Sequence, residues 1–154
     1  MLSSYILIAT ALAALASASP LRKRQDTAYT FSITGWDFGC SPAACGWSFN
    51  VTAPSGGTDV PAFGPIACSG NTLNDVDYVL CDAIPGTETQ TVSAFVKDSP
   101  ETMVLYIKES VYTSTQGTLL YAGAVTTQPT EYCPACPTTY SVPVTAGSAC
   151  TEGT

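Results

Sequence analysis

The 154-residue chain contains no histidine. Nucleophile systems that hand a proton to an imidazole, Ser-His-Asp and Cys-His alike, are therefore excluded. A zinc site needs four well-placed ligands, and the chain offers one C-x-x-C, Cys133-Pro134-Ala135-Cys136, without a histidine to complete it. Cationic residues are scarce as well, with five Lys and Arg against twelve Asp and Glu. No apolar stretch approaches the ~20 residues a membrane-spanning helix requires.

What is present begins with two consecutive processing signals. An apolar run from Tyr5 to Leu15 precedes Ala16-Ser17-Ala18, the small-x-small pattern cut by signal peptidase. Leu21-Arg22-Lys23-Arg24 then ends in a dibasic pair of the kind cleaved in the secretory pathway. The expected organisation is a signal peptide at 1–18, a short pro-segment at 19–24 and a single secreted domain at 25–154. Within 25–154 only Lys97 and Lys108 oppose all twelve carboxylates, a net charge of −10. Such a surface repels phosphate backbones and anionic headgroups, so neither nucleic acid nor membrane insertion is expected.

Seven cysteines in a short exported chain read as a disulfide framework. Spacing pairs Cys40 with Cys45 and Cys68 with Cys81, and leaves Cys150 to bond either Cys133 or Cys136. The C-x-x-C lies among prolines rather than at a helix start, so its role is expected to be structural and not that of a thiol oxidoreductase. Alternation is the dominant periodicity: Tyr29, Phe31 and Ile33 against Thr30, Ser32 and Thr34, then Trp47, Phe49 and Val51 against Ser48, Asn50 and Thr52. Further strand-like runs are 63–68, 78–81, 91–96, 103–109, 118–126 and 140–144, separated by Gly and Pro clusters. Short strands at regular spacing predict an all-β fold, a small disulfide-stapled antiparallel barrel or sandwich.

Chemical constellations are thin. Asn71, Asn74, Asp75 and Asp77 are oxygen-rich but lack the spacing of a calcium loop and fit a turn. Paired carboxylates would suffice for a glycosidase, yet the pattern singles out no two, and Asp75, Asp77, Asp82, Glu101 and Glu109 are each expected to be dispensable for activity. No catalytic residue, metal or cofactor is predicted. Asn50-Val51-Thr52 is the sole N-x-[ST] sequon, and alternation turns Asn50 outward, where a glycan fits. Trp36, following Gly35 at an expected strand end, is a candidate for display to a partner.

The order of these features resembles the Alternaria major-allergen family of fungal secreted proteins: Tyr29 to Trp36, Trp47 to Ala53, Ile66-Ala67-Cys68 with Tyr78 to Cys81, and Glu131-Tyr132-Cys133 with Cys150. The resemblance implies a disulfide-bonded β-barrel with Cys68–Cys81 and Cys133–Cys150 bridges, which leaves Cys136 as a free thiol. It also implies an elicitor that provokes plant defence or cell death, with a plant defence protein of the thaumatin-like group as a candidate target. Where the founding allergens place an intermolecular cysteine, this chain has Ala28-Tyr29, so a monomer is expected rather than a covalent dimer. The function expected is that of a non-catalytic secreted effector that binds a basic extracellular host protein. The alternatives are a small cell-wall hydrolase using two carboxylates and a structural surface protein.

Overall fold

A computed structural model describes residues 29–56, 60–73, 77–98, 103–115, 117–128, 135–145 and 149–150. The processing segments and the Cys133 end of the C-x-x-C lie outside them. Among the described residues nine strands form one antiparallel sheet: β1 (Thr30–Cys40), β2 (Cys45–Ala53), β3 (Phe63–Asn71), β4 (Val79–Leu80), β5 (Gln90–Asp98), β6 (Met103–Thr113), β7 (Gly117–Thr127), β8 (Tyr140–Thr145) and β9 (Ala149–Cys150). The order across the sheet is β3-β2-β1-β8-β7-β6-β5-β4, with β9 on β7. The expected strands are all present, and their inward residues fill a single core.

Right-handed twist brings the two outer strands of such a sheet together. The barrel is nearly closed, with β3 facing β4 across a seam that the Cys68–Cys81 disulfide spans. The Asp82 N–H donates to the Ala67 carbonyl at 2.9 Å beside it. The edge on one side is only two residues long, and the opposite edge carries Pro65, both features that discourage pairing with a second sheet.

One irregularity determines the fate of Trp36. Strand β1 does not end at Gly35 but runs on to Cys40, with a bulge in its register against β2 between Thr34 and Asp37. Gly35 takes a φ of 65° there, the left-handed region that costs other residues about 1–2 kcal/mol. The extra residue shifts the alternation by one: Phe31 and Ile33 point inward before it, Trp36 and Phe38 after it. Replacing Gly35 with Ala is expected to destabilise the protein by about 1–2 kcal/mol, read as a lower urea midpoint. An unchanged midpoint would show that the bulge relaxes without a glycine.

Candidate functional site

The structure contains the Cys40–Cys45 and Cys68–Cys81 disulfides that spacing predicts. Cys40 and Cys45 are directly opposite each other in the β1–β2 hairpin. Its loop is held by Ser41, whose N–H donates to the Ala44 carbonyl at 2.8 Å. Cys136 is disulfide-bonded, which corrects the expectation of a free thiol there. Its Sγ partner is outside the described residues, as are Cys133 and the Cys150 side chain, and so is the implied Cys133–Cys150 bridge. Cys136 Sγ lies 2.8 Å from Gln128 Oε1, just past the end of β7.

Trp36 is also corrected. It is 1 % exposed, packed against Phe49 and Tyr140, and its indole N–H donates to the Gln128 carbonyl at 3.0 Å. The bulge turns it inward, so it belongs to the core and presents nothing to a partner. Asn50, in contrast, is exposed on the outer face of β2, between Thr34 of β1 and Ala67 of β3. Its neighbours are short, which leaves room for a glycan. Protein secreted from a glycosylating host is expected to lose mass on treatment with an amidase that removes N-glycans, and Asn50→Gln protein is expected to show no such loss. Equal masses before and after treatment of the parent would mean the sequon is unused.

The oxygen-rich segment behaves as a turn where it is described. Asn71 Oδ1 accepts the Leu73 N–H at 3.2 Å, and Asp77 Oδ1 accepts the Tyr78 N–H at 2.7 Å. Asn74 and Asp75 lie outside the described residues. Among the described residues no group of three or more carboxylate and cysteine side chains is placed to hold a metal.

Sequence reasoning missed the most unusual group in the barrel. Glu109 is completely buried, inward on β6 between Ile107 and Val111. The Tyr29 hydroxyl donates to its Oε2 at 2.7 Å and the Gln90 amide to its Oε1 at 2.6 Å. Tyr121 packs on the Tyr29 ring with centroids 5.5 Å apart. Burial raises the Glu109 carboxyl above its ordinary value despite both donors. Burial, followed by the hydrogen bond to Glu109 and that carboxyl's charge, likewise holds the Tyr29 hydroxyl well above the usual phenol range. The signal lay in the period: Leu105, Ile107, Glu109 and Val111 occupy one face of the alternation, so a carboxylate in that phase has to be buried and satisfied.

Gln90 connects this interior to the surface. At the open end of the seam a cleft of about 300 Å³ lies between the start of β5 and the segment leaving β4, lined by Leu80, Ile84, Gln90 and Val92, with Asp82 and Glu88 also contributing. Leu80 is 70 % exposed. Asp82 and Glu88 are exposed too, and no lysine lines the cleft.

Both lysines of the 25–154 segment are elsewhere. Lys97 and Lys108 occupy outward positions of β5 and β6, where Tyr78, Phe95 and Tyr106 stack in a row at 6.1 and 6.0 Å. Lys108 Nζ sits 4.3 Å over the Tyr78 ring, a cation–π contact. The barrel thus has a cationic, aromatic outer face and, at the seam beyond its edge, an anionic cleft.

Fold and staples define the class: a nearly closed antiparallel β-barrel with disulfides, the chemistry of oxidising compartments. Among the described residues no helix is long and apolar enough to cross a membrane. No protein-family model, no curated protein and no solved structure matches the chain.

Proposed function

We propose that this is a secreted fungal effector of the allergen-like elicitor type, acting without catalysis by binding a basic extracellular host protein and so triggering plant defence. The observation that carries the reading is the seam cleft, an apolar concavity with two carboxylates at its margin and no lysine among its lining residues. With ten excess negative charges over residues 25–154, the long-range field draws cations toward the molecule. No lysine is among the cleft's lining residues, although Lys108, over the Tyr78 ring, lies in the same cross-strand row as Leu80. The disulfides keep the barrel intact among extracellular proteases by raising the free energy of the opened, cleavable state.

The hydrolase alternative would place its two carboxylates at Asp82 and Glu88, since these share the cleft. A glycosidase holds its general acid protonated by taking it out of water, whereas both of these side chains are exposed. The binding reading therefore has the better support.

Pull-down from plant apoplastic fluid tests it, run at low and at high salt with association rates measured for the captured protein. The expected partner is basic, and its association slows as the Debye length falls from ~10 Å at 0.1 M to ~3 Å at 1 M. An acidic partner, or a rate indifferent to salt, would reduce the charge to a solubility device. Infiltration of oxidised protein into leaves, beside a reduced and alkylated control, reads the defence response itself.

A further inference from the structure

The outer surface of the barrel is of two kinds. On β1, β2 and β3 the outward positions carry small side chains, among them Ser32, Thr34, Ser48, Asn50 and Ser69, with no aromatic ring and no lysine. The neighbouring strands β5 and β6 differ in both respects. Phe95 is directly opposite Tyr106, and Tyr78, which leads into β4, continues the row, each ring half-buried and so still open to solvent on one side. Lys97 follows Phe95 by two residues on β5, and Lys108 follows Tyr106 by two on β6. Because the strands run in opposite directions, the lysines flank the row, one on each side, roughly 6–7 Å from it along the strands. They are the only cations of residues 25–154, against twelve carboxylates. Yet no Asp or Glu occupies an outward position from Thr91 to Lys97 on β5, from Val104 to Tyr112 on β6 or from Thr118 to Thr126 on β7. Asp77 adjoins the row only at its Tyr78 end. Exposed charges more than ~8 Å apart are largely screened at physiological salt, so the field over this face is set by its lysines and not by acids elsewhere on the barrel.

We propose that the outer face of β5 and β6 binds an acidic polysaccharide, a chain of uronic acid residues lying across the aromatic row. This is a second surface, apart from the seam. The C–H faces of the sugar rings meet aromatic faces that are electron-rich, and carboxylates of the chain reach Lys97 and Lys108 on either side. Lys108 Nζ, 4.3 Å over the Tyr78 ring, holds its charge beside the row. The outside of a sheet lacks the concavity that encloses a small molecule, whereas an extended chain can lie along it. Two cations are too few for a phosphate backbone, whose affinity comes from many phosphate contacts, or for an anionic membrane, which is held by clusters of basic residues.

The test titrates the oxidised protein, labelled with nitrogen-15, with three probes. Tetragalacturonate carries both features, its methyl ester keeps the sugar faces without the charge, and tetraglutamate keeps the charge without the sugar. Tetragalacturonate is expected to shift amides mainly at 93–97 and 104–108 and to bind about five-fold or more tightly than either of the others. The Lys97→Gln, Lys108→Gln double variant is expected to weaken tetragalacturonate about five-fold or more while leaving the ester unchanged. Tyr106→Thr, which keeps a strand-forming residue, is expected to weaken both sugars. Shifts centred on another face, an unchanged lysine variant, or a folded Tyr106→Thr protein that binds both sugars as the parent does would each overturn the proposal. So would equal or tighter binding of the ester, of tetraglutamate, of a thymidine tetranucleotide or of anionic phospholipid vesicles.

Discussion

Replacing Glu109 with Ala is expected to lower stability by about 2–5 kcal/mol, from about 1–3 kcal/mol for each buried neutral partner left unsatisfied and the void that opens beside them. The loss has three sources. The Tyr29 hydroxyl and the Gln90 amide lose the acceptor they share, and a void opens among Ile107, Val111 and Tyr121. Glu109→Gln keeps shape and one acceptor and is expected to cost far less. Urea unfolding at neutral pH measures both, and equal costs for the two variants would show that packing alone matters at this position. The expectation from sequence that Glu109 is dispensable for activity took no account of its burial, which makes the substitution costly to the fold.

The same group sets a pH dependence whose sign follows from its raised carboxyl. Folded protein then holds the Glu109 proton more tightly than unfolded chain does. Its contribution to stability is fully present below the ordinary value of 4.5, declines as pH rises from there through the folded value, and is flat above it. Tyr29 acts alike at the alkaline end: its hydroxyl is raised from 10, so the stability it supplies is lost as pH climbs beyond that point. Glu109→Gln is expected to flatten the acid-side decline and Tyr29→Phe the alkaline one. A parent whose stability instead rises steadily between pH 4.5 and neutrality would mean that other carboxylates dominate the pH dependence.

Removing the Cys68–Cys81 bond with a double Cys→Ser variant is expected to cost about 3 kcal/mol, the chain-entropy figure for a loop of this length. The Cys40–Cys45 bond closes a shorter loop within a hairpin whose register is already set by β1 and β2, so about 2 kcal/mol is expected there. Location sharpens the contrast. Losing Cys68–Cys81 frees the seam, and the Asp82 amide, which donates across it to Ala67, is expected to exchange with solvent far faster. Loss of Cys40–Cys45 leaves that amide protected. If the seam amide stays protected without Cys68–Cys81, hydrogen bonding and packing close the barrel unaided.

Much of this architecture is legible along the chain because its signals are local. Alternating residues from Tyr29 to Ile33 and from Trp47 to Val51 specify strands by themselves, since one buried face requires a period of two. The turn residues between them set the hairpins, and the short separations of Cys40 from Cys45 and of Cys68 from Cys81 suggest those two pairings. Composition alone sets the acidic charge and the absence of imidazole chemistry. Tertiary structure decided the rest. Whether Gly35 ends a strand or carries a bulge depends on β2 on one side and on the chain before β8 on the other, where the Thr138 carbonyl accepts the Trp36 N–H, and that choice turned Trp36 from surface to core. Glu109 became tolerable inside only because Tyr29, 80 positions earlier in the chain, and Gln90, on the neighbouring strand, deliver donors to it. Such groupings join residues remote in sequence, and no local period or spacing records which of them will meet.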